Sequence, residues 1–533
     1  MIKKFFAIAL AAIMLLLAGC GSGSDKNPSD NSPSGNDSSA ARELQLLYCA
    51  ADTMNPYKTI SKLNAELASL LFEPLFKVDD SFEQVAVLAE KITTEGTTHT
   101  VTLKNAVFSD GSAVTADDVL FSCELAKECA RFAPLFYEIE SISVSDGRTI
   151  VFITTRHDPY FAKLLTFPIL KTDSDKLKDE DNVELVPIGS GRFVFNEKGD
   201  GLIQNSAYYG KQAEIESIRL INAPDLESME HYVEIGATDV YYAEMTDDTI
   251  IRMSGTKEKV NLNNLIYLGI NHYYGPLKSA NLRYAISSAL SRKQITEKAF
   301  HSNATPANGF FHPDWKATSD YQTIETSANL KISVENLANI GYNKLNAEGF
   351  YENSAGKVLE LSLLVNGENS VKVAAAELIA SQLATTGIKI NLNVVDRAEY
   401  FRALSAGHFQ LYLGEVRLLP NMDISPLVIR GGSAAYGMVS APVTETDPDE
   451  EAEEETEIRP VYNSETAYVS VISGFNSGKN TAADVAASLL SSMPIIPLAY
   501  RDSIVFYSTT VESIGQASAG DIFLSMGDFK IKK

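Results

Sequence analysis

Several things are missing from this sequence, and each absence closes a class of function. It has no Gly-x-Ser-x-Gly elbow, no His-Glu-x-x-His, no Gly-x-x-x-x-Gly-Lys-Ser/Thr loop and no Cys-x-x-Cys. Those spacings carry serine hydrolase, zincin, P-loop and thioredoxin-like chemistry, so all four are disfavoured, while an enzyme with dispersed catalytic residues stays open. Positive charge is scarce: 45 Lys and Arg stand against 69 Asp and Glu, a net charge of −24. Such a chain offers no basic footprint to nucleic acid and is not drawn to anionic lipid by charge. Only four cysteines occur. If Cys20 is set aside for the reason below, Cys49, Cys123 and Cys129 are an odd remainder. Cys123 and Cys129 would sit on different faces of one helix, so buried free thiols are expected rather than a disulfide framework.

Long apolar runs are missing too. The run at the N-terminus, Phe5–Leu17, has 13 residues, and a membrane-spanning helix needs roughly 20. With Lys3 and Lys4 ahead of it, residues 1–19 read as a signal peptide. Leu17-Ala18-Gly19-Cys20 follows and looks like a lipobox. There the Cys20 thiol would be acylated and become the new N-terminus, anchoring the chain to the extracytoplasmic face of a membrane. Residues 20–41, rich in Gly, Ser, Asn, Asp and Pro, cannot bury a core and read as a flexible spacer.

What remains is too long for one hydrophobic core, so two or more domains are expected. Leu44–Ala50 reads as a strand and Asn64–Phe76 as an amphipathic helix. A strand at Thr98–Leu103 precedes a turn at Phe108–Gly111, and Thr115 with Asp118 forms a capping box opening a helix. Asp146-Gly147 between the alternating runs Ile139–Val144 and Thr149–Ile153 is a hairpin signal. Further on, Leu359–Val365, the helix Ser370–Thr386 ended by Gly387, the strand Ile388–Val394, a helix capped by Asp396 and ended by Gly407, and Phe409–Leu413 alternate strand and helix. That pattern predicts a mainly parallel sheet. Ile495–Ala499 and Ser503–Tyr507 look like strands added to an earlier sheet. The acidic stretch within about 443–459 reads as a disordered insertion, with a cation site as the alternative.

Some weak motifs remain. Gly189-Ser190-Gly191-Arg192 reads as a tight turn rather than an anion loop. His157-Asp158-Pro159-Tyr160 reads as a turn before a helix rather than a base with its orienter. His272-Tyr273-Tyr274 falls at the junction of the strand-rich and βαβ-rich halves, where pockets concentrate.

Several segments, in this order, resemble the family 5 extracellular solute-binding proteins of ABC transporters, the peptide- and nickel-binding group. They are Asn55-Pro56, Leu71-Phe72-Glu73-Pro74-Leu75-Phe76, Leu88-Ala89-Glu90 and, most specific, Phe108-Ser109-Asp110-Gly111 running on to Thr115-Ala116-Asp117-Asp118-Val119. Gly189–Phe193, Asn271, Leu282–Ile286 with Ala289–Arg292, and Gly341-Tyr342 continue the series to near residue 507. The resemblance implies an α/β, two-lobed periplasmic-binding-protein-like fold of the large type II cluster, with mixed sheets flanked by helices. It implies lobe I over 42–266 with an inserted subdomain at about 71–186, lobe II over 267–490, and a return to lobe I over 491–533. The chain would cross near Tyr267–Asn271 and return near Ser491–Pro494, and the lobes would close about a hinge on the ligand.

The implied protein is a monomer without cofactor or catalysis. It binds an oligopeptide or similar polar solute and delivers it to a permease driven by an ATPase. A metal or metallophore receptor, and an envelope enzyme on the same fold, are the alternatives. In peptide-binding members an Asp downstream of a Gly-Trp pair anchors the peptide amino group. Here Glu415 replaces that Trp, Leu418 stands at the Asp position, and Asp423 is the candidate for the family's later Asp. The expected ligand-binding residues are Asn55, Asn271, His272, Tyr273, Glu415, Arg417 and Asp423. Glu415 and Arg417, two apart on an extended segment, face one side and could recognise both ends of a zwitterion; a charge pair with Asp423 is the other reading.

Overall fold

In Thr98–Leu103 every second side chain is buried, and the strand pairs with Ala89–Glu95 on one edge and Thr149–Thr154 on the other. Thr149–Thr154 also pairs with Ile139–Asp146 across the Asp-Gly turn, where the Asp146 carboxylate accepts the Arg148 amide at 2.8 Å. Helix Ala116–Glu128 opens with the expected Thr115–Asp118 capping box and packs Val119 and Cys123 against Val101, Ile150 and Phe152. These elements share one apolar core. The computed structural model describes residues 43–245, 253–321, 324–438 and 467–532. The segments expected to be a signal peptide and a spacer, with Cys20 between them, and the acidic stretch 443–459 lie outside the described residues.

A second core lies on a four-stranded sheet, ordered Leu44–Tyr48, Ser217–Asn222, Gly201–Gln204, Phe193–Phe195, with the first pair parallel. Helix Lys62–Leu71 joins it; the structure ends that helix at Leu71, and Phe76 begins a short strand. The Gly189–Arg192 segment crosses the end of this helix at backbone contact. A Cβ on Gly189 would stand 2.2 Å from the Leu71 carbonyl oxygen, and one on Gly191 2.3 Å from that of Leu70. The glycines are therefore there for close approach of two backbones.

The third and largest core surrounds a seven-stranded sheet. Its order is Val240–Glu244, Ile496–Tyr507, Thr256–Ile270, Leu411–Arg417, Glu360–Asn366, Lys389–Val395, and Ala304–Pro306 also pairs with Ile496–Tyr507. Glu360–Asn366 is parallel to both its neighbours, and the other pairings are antiparallel. The strand–helix alternation thus gave the parallel part correctly, but the whole sheet is mixed. Strand Leu411–Arg417 runs further than the sequence suggested and carries Glu415 and Arg417 into the sheet. Two tyrosines fix its register. Tyr267 lies opposite Gly414 and Tyr412 opposite Gly269, and each ring covers the facing glycine so closely that a Cβ there would fall within 2.5 Å of ring carbon. Gly414 is small because Tyr267 occupies the space a side chain would need.

The two strands expected at Ile495–Ala499 and Ser503–Tyr507 are one 12-residue strand, since Tyr500, Arg501 and Asp502 stay paired through the polar middle. Thr256–Ile270 has 15 residues, about 50 Å at 3.3 Å per residue. Residues Glu43–Lys533 form one compact unit, yet these two strands pass from one apolar core to another inside it. Val260 and Val505 belong to the core of the four-stranded sheet, and Leu265 and Tyr500 to that of the seven-stranded sheet. The pairing slips its register between Asn261 and Leu265, at the same place. Leu265–Ile270 and Ile495–Tyr500, beside the segments where a crossing was expected, pack in the larger core, and the strands pass from one core to the other over Val260–Leu265 and Tyr500–Val505.

Candidate functional site

Where the two long strands leave one core for the other, their side chains turn polar. Asn261, Asn263, Asn264, Arg501, Asp502 and Ser503 are all buried. A buried polar group is costly unless it is paired, and most of these are paired across the seam. Glu415 lies at its centre. Its carboxylate is 2.9 Å from Lys372 Nζ and 3.3 Å from Arg501 Nε, and it accepts from Asn264 Nδ2 at 3.4 Å. Burial pushes the Glu415 carboxyl up, but the Lys372 ammonium and Arg501 guanidinium outweigh that and hold it below its usual value. Lys372 is delivered by local chemistry: Asn369 caps the helix Ser370–Thr385 by accepting the Lys372 amide at 2.9 Å, which fixes the first turn. Arg501 also donates to the Met245 carbonyl at 2.8 Å and lies over the Phe300 ring. Arg417 donates to Asn264 Oδ1 and pairs with Glu244, each at 2.8 Å. Glu415 and Arg417 thus meet at one residue, Asn264, on one side of the sheet.

A second set of contacts joins the loop after strand Thr149–Thr154, beside the first core, to the largest core. Arg156 pairs with Asp423 at 2.6 Å and donates to Asn476 Oδ1 at 2.8 Å. Asn421 donates to Asp158 at 2.8 Å, and Tyr160 packs edge-on against Trp315. Close by, Asp80 accepts the Asn261 amide at 2.7 Å, and Asn261 Nδ2 donates to Asp314 at 2.7 Å. Burial raises the Asp80 carboxyl to about 6 despite that hydrogen bond. The seam is therefore lined by charges of both signs, supplied by segments far apart in the chain.

The sequence profile described as Bacterial extracellular solute-binding proteins, family 5 Middle, matches residues 83–423, more than half of the chain. The chain belongs to this family. Among curated relatives it is 24% identical over 419 residues to the oligopeptide-binding protein AppA of Bacillus subtilis, covering 74% of this chain and 77% of that one. It is 22% identical over 363 residues to the glutathione-binding protein GsiB of Salmonella typhi, covering 65% and 68%. Its fold is that of an ABC transporter substrate-binding protein from Sinorhizobium meliloti (TM-score 0.71, 18% identity, 92% of this chain and all of that one). MppA, a periplasmic murein tripeptide-binding protein in its unliganded open form, is similar at TM-score 0.69 and 18% identity, over 89% and 94%.

Seen within family 5, the expected site residues divide. Glu415 and Arg417 are brought together at the seam. Asp423 reaches it too, but its partner is Arg156, and Arg417 pairs with Glu244, so the expected Asp423 charge pair does not form. Asn271, His272 and Tyr273 are elsewhere. Asn264 and Asn271 are seven residues apart along the chain, about 23 Å in extended backbone. Asn271 donates to the Gly407 and Phe409 carbonyls and accepts the Tyr273 amide, closing a turn. Tyr273 is exposed beyond that turn. Asn55 is buried in the smaller core's loop, where its carboxamide oxygen accepts the Tyr57 amide at 3.0 Å. The family motif Leu282–Ile286 with Ala289–Arg292 is likewise structural: buried Arg283 and Arg292 donate to backbone carbonyls.

Lys372, Arg501, Asn264, Glu244 and Arg156 were missed. For Asn264 and Arg501 a signal was present as polar interruptions of apolar strands, Asn261-Leu262-Asn263-Asn264 and Arg501-Asp502; Lys372, Glu244 and Arg156 had none.

His272 has a structural role with a measurable pH signature. It is buried, and its Nε2 is 2.7 Å from the Pro494 carbonyl oxygen, so Nε2 carries the proton and a second one would enter beside Arg283. Burial first and then that guanidinium lower its pKa to about 4 from 6.5. Between those values the unfolded chain binds the proton and the folded one does not, so stability is whole above 6.5 and falls as pH drops toward 4. His272→Gln, which keeps a donor for Pro494, is expected to lose roughly 3 kcal/mol less than the parent over that interval. Urea midpoints at pH 7 and pH 4 measure this, and equal losses in the two proteins would refute it.

Proposed function

We propose that this protein is the lipid-anchored receptor of an ABC importer, that it binds an oligopeptide or similar polar solute at the seam between its cores, and that it hands the solute to a membrane permease. The observation that carries the reading is the network of Glu415, Lys372, Arg501 and Arg417, buried or half-buried charges of both signs where the two long strands change cores. A charged group at such a place is costly unless paired, and a solute with an ammonium and a carboxylate can exchange into those pairs as the seam opens and closes. The curated relatives named for oligopeptide and glutathione binding support a peptide-like ligand. The lobes are then the core of the four-stranded sheet with its inserted segment, and the core of the seven-stranded sheet. The hinge is Val260–Leu265 with Tyr500–Val505. Among the described residues no group of three or more His, Cys, Asp and Glu side chains could hold a metal ion, so nothing in the described structure favours direct metal binding.

Purified protein heated with and without short peptides tests this. A ligand at a hundredfold its Kd adds about 2.7 kcal/mol to the folded state, seen as a raised Tm that saturates with concentration. Mass spectrometry of the co-purified solute gives its identity. An unchanged Tm with every peptide, together with a non-peptide co-purifying solute, would overturn the peptide reading. Cys20→Ala is expected to move the protein from the membrane to the soluble fraction.

A further inference from the structure

Lys163 is 1% exposed, and its ammonium has no hydrogen-bond acceptor. The nearest carboxylate oxygen, Glu83 Oε2, is 3.8 Å away, beyond hydrogen-bond reach. The ammonium lies over two rings, 4.9 Å from the centre of Tyr160 and 5.5 Å from that of Trp315. Trp315 is also 1% exposed, and its indole Nε1 has no acceptor either. One buried cation and one buried N–H therefore stand beside each other with nothing to receive their hydrogens. They come from opposite sides of the seam, Lys163 from the inserted segment and Trp315 from the largest core.

Position strengthens the point. Lys163 follows the loop that reaches across through Arg156–Asp423 and Asp158–Asn421. Trp315 follows Asp314, which holds Asn261 of the crossing strand. Aromatic faces attract the ammonium by their quadrupole but leave its N–H groups unsatisfied. A buried ammonium without a hydrogen-bond acceptor is costly, and Glu83, Asp79 and Asp158 bear on Lys163 only through space.

We propose that Lys163 Nζ and Trp315 Nε1 form a carboxylate subsite that takes the C-terminal carboxylate of a bound peptide, with Tyr160 and Trp315 as its walls. This rests on the peptide-receptor reading above. The indole belongs to the ring that the ammonium lies over, so one carboxylate can present an oxygen to each donor. The charge-assisted bond to Lys163 carries most of the affinity. The subsite is formed only while the inserted segment and the largest core are in contact, so a peptide held there favours the closed arrangement.

The test uses the purified protein, alanine oligomers of three to five residues, and the same oligomers amidated at the C-terminus. The free acids are expected to bind the parent about 30-fold more tightly than the amides. Lys163→Met should weaken the free acids by about the same factor and leave the amides unchanged. Trp315→Phe, which keeps the ring and removes the donor, should weaken the free acids about 5-fold. Without ligand, Lys163→Met should be at least as stable as the parent, since a buried ammonium whose N–H groups have no acceptor is gone. Equal binding of acids and amides, or an equal loss for both on Lys163→Met, would overturn the subsite and leave the peptide reading standing. No binding of either form would overturn the peptide reading and the subsite with it. A lower urea midpoint for unliganded Lys163→Met with unchanged selectivity would make Lys163 a structural brace and overturn the subsite alone.

Discussion

Glu415→Ala is expected to destabilise the protein by about 3–5 kcal/mol, the range for removing one partner of a buried ion pair. Glu415 compensates two cations whose side chains are 18% and 2% exposed, Lys372 and Arg501. Truncation leaves both without their carboxylate and removes the acceptor of Asn264 Nδ2. The loss should exceed that for Arg417→Ala, because Arg417 is half exposed and its pair with Glu244 is weakened by solvent. Urea midpoints of the two variants give the comparison. A double-mutant cycle with Lys372→Met separates the direct pair from the rest: the second substitution removes one stranded cation and should restore part of the loss. The sign of the pH effect follows from the lowered Glu415 pKa. The stabilisation is complete above the unfolded-state value near 4.5 and is lost as pH falls through the lower folded value. Glu415→Gln should therefore show a smaller acid loss than the parent. Equal stability of parent and Glu415→Ala at pH 7 would remove this residue from the centre of the seam.

Arg283→Met is the other large effect, expected at about 4 kcal/mol. The guanidinium is buried and donates to four carbonyl oxygens: Met493 at 3.0 Å, Leu277 at 2.9 Å, Lys278 at 2.8 Å and Ser492 at 2.8 Å. Methionine fills a similar volume but donates nothing, and each buried carbonyl left unpaired costs about 1–3 kcal/mol. The substitution also has a second, independent readout. Arg283 is one cause of the lowered His272 pKa, so its removal should raise the pH at which His272 takes up a proton. The stability lost between pH 7 and pH 4 should therefore be smaller in Arg283→Met than in the parent, because the folded and unfolded His272 values lie closer together. A fall in stability at pH 7 with the acid loss unchanged would separate Arg283 from His272.

These residues show what sequence patterns can and cannot carry. Thr115 with Asp118, Asp146-Gly147, Gly387 and Asp396 act within one turn of the backbone, and the structure has them where spacing put them. Family membership was legible for the same reason, since the matching pieces are colinear turns and helix starts. The site was legible only in part. Glu415 and Arg417 were found because the family resemblance pointed to their stretch, and neighbours two apart on a strand share a face. Lys372 and Arg501 were not, because they are 43 and 86 positions from Glu415 along the chain and no local pattern joins them. His272 drew attention as a histidine near the junction, but it follows the end of strand Thr256–Ile270, in a turn where its ring meets the Pro494 carbonyl, away from the polar stretch of that strand.

By itself the sequence determined the local devices: the caps, the Asp-Gly hairpin, the glycines and the parallel strand–helix unit. Each depends on forces that reach only a few residues. Tertiary structure decided where one core gives way to the next, that the two C-terminal strands are one, and which charges meet at the seam. Those outcomes depend on burying groups from distant segments together, and a buried charge is stable only where its partner is brought to it.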